Sequence, residues 1–220
     1  MKQFLMASAA AFTVMAAAPA SAAVVGSLAT NPTANLLSLS STGLRSGTGT
    51  TAPVVATLTG GAVYTADQPF ADQPAGSIFG NNFLASGPSS GAGAPATLTF
   101  ASPTNFLSFL WGSPDSYNLL TINSTTGPQT FTAASLGFPI ITGAQSVSQY
   151  VRFQGTADTL ITSVVFSNTS AIDAFEAANF SVTAPVPEPA TWAMMLVGFG
   201  GIGFAMRRRK SKVATTVRFA

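Results

Sequence analysis

Between Ala23 and Val186 the residues able to do chemistry are few enough to name. The carboxylates are Asp67, Asp72, Asp115, Asp158, Asp173 and Glu176, the cations Arg45 and Arg152, and the phenols Tyr64, Tyr117 and Tyr150. Histidine and cysteine occur nowhere in the chain. Their absence removes zinc sites of Cys/His type, Ser-His-Asp and Cys-His nucleophile systems, and haem attachment through Cys-x-x-Cys-His. What remains to carboxylates is glycoside chemistry, which needs two carboxyls at a defined separation, and the pool is Asp115, Asp158, Asp173 and Glu176. Their spacing nominates no pair, and aspartate is a common turn former, so the expectation is turn residues and solvated edge charges. Asp115, between Pro114 and Ser116, reads as a turn joining the strands that hold Trp111 and Tyr117. Calcium needs several converging oxygens, which Asp173, Glu176 and Asn179 on one strand cannot supply. No catalytic residue, metal or cofactor is therefore expected, and the chain is read as not an enzyme.

Charge narrows the partners. Charged residues make up 7% of the chain, and six of the nine cations lie beyond Met206: Arg207, Arg208, Arg209, Lys210, Lys212 and Arg218. Residues 23–186 hold two cations against six anions, a net charge of −4. A body with two distant arginines cannot neutralise a run of phosphates, which excludes nucleic acid as a partner. With 47% hydrophobic residues the chain has the material for one core.

The elements that must position these residues are short. Val54–Leu58 and Ala62–Thr65 flank Gly60-Gly61 and read as a hairpin. Further strands are predicted at Ala96–Phe100, Asn105–Trp111, Tyr117–Ile122, Gln129–Ala133, Gln149–Gln154, Leu160–Ser167 and Phe175–Val182, each rich in β-branched or aromatic residues and fenced by Pro, Gly, Asn or Asp. In Ile161–Ser167, strict alternation puts Ile161 and Val165 on one face and Thr162, Val164 and Phe166 on the other. Many short strands without a helical period predict an all-β, antiparallel β-sandwich, jelly-roll-like, over residues 23–183. Trp111, in an apolar strand, is expected in its core; the alternative is a platform stacking on a sugar ring.

Both ends read as export and retention. Lys2, the apolar run Phe4–Ala18 and the small residues Ala20 and Ala22 form a signal peptide over 1–22, with cleavage expected after Ala22. Residues 184–189 form a proline-rich linker containing Pro187-Glu188-Pro189, and 190–206 are seventeen residues without a charge. As a helix at 1.5 Å per residue these span about 25 Å, near the thickness of a bilayer's hydrocarbon layer. Trp192 at one end and Arg207, Arg208, Arg209 and Lys210 at the other orient a single transmembrane helix with the body outside and a basic tail, 207–220, in the cytoplasm. Gly198 to Gly203 spells G-x-G-x-x-G inside this run, but no strand precedes it and no acidic residue follows Glu188, so no dinucleotide site is expected.

Pro187-Glu188-Pro189-Ala190-Thr191-Trp192-Ala193-Met194-Met195, followed by Gly198-Phe199-Gly200 and the basic block, resembles the PEP-CTERM sorting signal in its PEPxxWA form, here residues 187–212. The resemblance implies a Gram-negative bacterium and an exosortase, a membrane-embedded cysteine protease that cuts at or near Pro-Glu-Pro and delivers the body to the envelope or extracellular matrix. The partners so implied are the exosortase, the cytoplasmic membrane that anchors the precursor with its body in the periplasm, and an exopolysaccharide. Two body segments, Phe109–Asn118 and Ala174–Val182, are similar to segments of β-sandwich exosortase substrates whose last strand reads Phe-Glu-x-Asp-Asn; Ala178 stands at the Asp position. The body is then expected to be structural or adhesive. A carbohydrate-binding module using Trp111 is the alternative, and a secreted glycan hydrolase the remaining one.

Overall fold

A computed structural model describes residues 23–30, 35–77, 82–89, 95–156, 158–169 and 174–182, together with 195, 197–200, 202–204, 207 and 218. The chain divides into two compact units, Met1–Thr183 and Ala184–Ala220. The signal peptide lies outside the described residues, as does most of the 190–206 span. Among the described residues no helix is long and apolar enough to cross a membrane.

The first unit holds two antiparallel sheets. One has the order β1-β11-β8-β13-β6-β5, built from Val24–Ala29 (β1), Ser148–Gly155 (β11), Phe106–Gly112 (β8), Phe175–Ser181 (β13), Phe83–Ser86 (β6) and Ala62–Tyr64 (β5). The other runs β10-β9-β12-β7-β4-β3-β2, from Gly127–Phe131, Asn118–Ser124, Ile161–Asn168, Ala96–Thr104, Val54–Thr59, Gly43–Arg45 and Ser38–Ser40. Period-two alternation makes the second sheet two-faced: Ala96, Leu98 and Phe100 of β7 are buried, while Thr97 and Thr99 point outward.

A single cluster fills the space between the sheets, drawing Leu107, Phe109 and Trp111 from β8, Phe175, Ala177 and Phe180 from β13, and Ile161, Val164 and Phe166 from β12. Phe109 stacks on Phe180 at 5.5 Å and meets Phe166 edge-on at 5.3 Å, tying the sheets together. Ile161 joins Val164 and Phe166 on the core side, contrary to strict alternation. A register shift between Ile161 and Ser163 changes the phase of the strand there.

The hairpin expected across Gly60-Gly61 does not form. β4 and β5 lie in different sheets, and β4 has both edges occupied, by β3 and by β7. With no free edge on β4, the chain must leave for the other sheet. Gly60 and Gly61, at φ of 70° and 61°, make the crossing, and a Cβ on Gly61 would lie 2.6 Å from that of Ala96.

The outer ends are fastened by side chains. Gln129 of β10 accepts a hydrogen bond from the Val24 amide of β1, joining the two sheets along one margin. On the other margin Asn82 Nδ2 donates to the Leu39 carbonyl of β2 at 2.8 Å, and the Leu37 amide donates to Phe180 O at 2.8 Å. Such bonds occupy part of the backbone groups that the edges leave unpaired.

Candidate functional site

β13 is buried along its whole length, on both faces. Its inner face feeds the main core; its outer face carries Glu176 and Ala178, and a strap of residues 66–77 lies over it. A second apolar cluster holds the strap down, formed by Ala71, Phe83, Ala85, Ala174 and Ala178 with Tyr64 and Phe70 packed against it. The Ala174 amide donates to Phe70 O at 2.9 Å, and Asn179 Nδ2 donates to Gly76 O at 2.9 Å and to the Tyr150 hydroxyl at 2.8 Å. Pro74 lies so close to Gly112 that a Cβ on that glycine would come within 2.7 Å of its ring. Asn179 has φ of 52°, a left-handed conformation that asparagine tolerates, at the irregularity that interrupts the pairing of β13 with β8.

Under the strap lies a polar cavity of about 180 Å³, lined among others by Gln68, Asp72, Ser113, Asp115, Tyr117 and Glu176. Three carboxyls from three parts of the chain meet in it. Glu176 is only 3% exposed and its Oε2 accepts a 2.9 Å hydrogen bond from Ser113 Oγ. Burial pushes the Glu176 carboxyl up to about 9; the Ser113 hydrogen bond opposes this, and the charges of Asp115 and Asp72 add to it. Asp72 is raised by burial and by Asp67, against a hydrogen bond with Gln145. Glu176 therefore keeps its proton at neutral pH.

The backbone around Asp115 explains its place. Ser113 has φ of 32°, and its amide donates to Val147 O at 2.9 Å, while Gly143 donates to Pro114 O at 3.1 Å. These bonds fold the 139–147 loop against the turn, and a Cβ on Gly143 would lie 2.5 Å from Asp115 Oδ1. Asp115 is thus in a turn between β8 and β9, as its flanking residues imply, but the turn crosses between sheets and Asp115 is buried at 8% exposure.

Of the carboxylate pool, the structure brings Asp115 and Glu176 together and adds Asp72. Asp158 is exposed in a turn elsewhere, and Asp173 lies outside the described residues. The solvated-charge expectation is corrected for Asp115 and Glu176. The signal for Glu176 was its setting, since Phe175, Ala177 and Ala178 flank it directly with apolar residues. Among the described residues, no group of three or more acidic side chains is arranged to hold a metal ion.

Trp111 is fully buried, stacked on Phe175 at 4.2 Å and edge-on to Phe138 at 5.3 Å. It is a core residue and offers no face to a sugar.

In the second unit, Met195, Val197–Gly200, Ile202–Phe204 and Arg207 are helical. Met195, Val197, Phe199, Ile202 and Phe204 are all exposed. Pro187, Glu188, Pro189, Trp192, Arg208, Arg209 and Lys210, and the cleavage residues Ala20 and Ala22, lie outside the described residues. No curated protein and no solved structure matches the chain. Residues 185–210 match the family model of the PEP-CTERM protein-sorting motif. The chain therefore carries a PEP-CTERM sorting motif at its C-terminus, the mark of an exported precursor sorted to the surface with an exosortase as its processing partner.

Proposed function

We propose that this chain is a precursor whose signal peptide is removed after Ala22, whose helix 190–206 holds it in the cytoplasmic membrane with the body in the periplasm, and whose exosortase then cuts at or near Pro187-Glu188-Pro189. The β-sandwich so delivered acts as a structural or adhesive component of the cell envelope or extracellular matrix, and does not catalyse. The match over residues 185–210 carries this reading.

One feature supports the adhesive role and another the absence of catalysis. β4, β7, β9, β10 and β12 contain no charged residue, and their outward side chains line up across the sheet: Thr57 opposite Thr99, Thr99 opposite Ser163, and Ser163 opposite Asn123. This face offers hydroxyls and an amide to an uncharged exopolysaccharide. Glu176 supports the absence of catalysis, since a buried carboxyl backed by Ser113 and covered by the strap does not meet a substrate.

Mass spectrometry of the protein recovered from an exosortase-bearing host tests the reading. A mature species beginning at Ala23 and ending near Pro187–Pro189 is expected. A surface-located species that keeps Arg207–Ala220 would overturn the processing step.

A further inference from the structure

Glu176 sits at the centre of a device that no sorting role requires. We propose that residues 66–77 are a proton-latched strap, closed over β13 while Glu176 is protonated and opening as the proton leaves. The geometry gives each part its function.

Among the described residues the closed state is held by few bonds, the Ala174 amide to Phe70 O, Asn179 to Gly76 O, and Asp72 with Gln145, over a small apolar cluster. Ordinary loops held this lightly open well below the free energy of global unfolding. Every charged group facing Glu176 is negative. Asp72 comes from the strap itself, with Asp67 behind it, and Asp115 comes from the turn between β8 and β9, beside the phenol of Tyr117. The neighbouring strands present Ala85 and Gly112 in register with Glu176, neither able to share a charge. Among the described residues no cation lines the cavity.

An ionised Glu176 therefore faces two carboxylates in a confined space with no counter-charge, and opening to water is the available relief. Asp72 moves with the strap, so opening separates the charges as well as hydrating them. Burial supplies the sensitivity. The carboxyl is pushed up to about 9 when covered, against an ordinary 4.5 in water, so opening releases one proton across that interval. One-proton linkage makes the open population rise about tenfold per pH unit within it.

Hydrogen exchange on the full chain reads this directly, because the Ala174 amide is bonded to the strap. After division by intrinsic exchange rates, protection at Ala174 should fall about tenfold per unit between roughly pH 6 and pH 8 and lie, at each pH, well below that of amides in β9 and β12, which open only with the whole fold and share the slope. In Glu176→Gln, which has no proton to lose, the slope should vanish. A flat wild-type profile at Ala174, or a slope retained in Glu176→Gln, overturns the proposal. The wild-type chain suffices if that variant does not fold: equal protection at Ala174 and in β9 and β12 throughout this range would mean that Glu176 meets water only on global unfolding, and the strap would not be a latch. Restoration of protection at high pH by calcium chloride would likewise overturn it, making the cavity a cation site.

Discussion

Glu176 and Trp111 set most of what single substitutions should do. The folded chain holds a proton on Glu176 up to about pH 9, whereas the unfolded chain releases it near 4.5. Stability from this group is fully present below about 4.5 and declines as the pH rises to about 9, by about 1.4 kcal/mol per unit. Urea midpoints measured from acid to alkaline pH should fall accordingly, and Glu176→Gln should flatten the series and exceed wild type above neutrality. Trp111 is enclosed by Phe175, Phe138 and Phe109, and its indole N–H has no hydrogen-bond partner among the described residues. Trp111→Ala should cost about 3–5 kcal/mol in equilibrium unfolding, while Trp111→Phe, which gives up no hydrogen bond, should cost much less. The candidate site was only half legible in sequence. The apolar neighbours of Glu176 announce its burial, but nothing near Asp72 says that it will come to lie over a strand a hundred residues away. That meeting depends on the strap.

At the level of elements, composition located strands and failed on their partners. The β-branched and aromatic runs that become β7, β8, β9, β11, β12 and β13 are predicted to within a few residues, because each must cover a half-buried or buried surface. Three-residue strands such as β2 and β3 carry too little pattern to be seen. The Gly60-Gly61 pair looks like a hairpin turn because positive φ at two successive residues suits both a tight turn and a crossing between sheets. Edge occupancy decides between them, and that is a tertiary property: β3 and β7 claim both sides of β4. Gly61→Ala tests this account. An alanine would meet Ala96 Cβ at 2.6 Å and Ala85 O at 2.9 Å in a left-handed backbone, so a loss of about 2–3 kcal/mol is expected in thermal or urea unfolding. A residue at the tip of a simple exposed hairpin would show little change.

For the whole molecule, delivery and fold belong to separate segments, since the sorting motif at 185–210 begins after the last strand. The position of that strand has a consequence in time. β13 is the thirteenth strand along the chain, yet it lies inside its sheet, between β8 and β6. β1, the first to emerge, has to wait for β11 more than a hundred residues later. A chain threaded through a translocation pore N-terminus first thus carries no early half that can close by itself, and long-range pairing of this kind is slow in any case. Chains stopped just before Phe175 should stay fully sensitive to protease, whereas chains extended past Val182 should become resistant in a single step. The order of emergence acts as a clock: the polypeptide remains thin enough to thread until its final strand has crossed, and only then can it thicken into a body that cannot slip back.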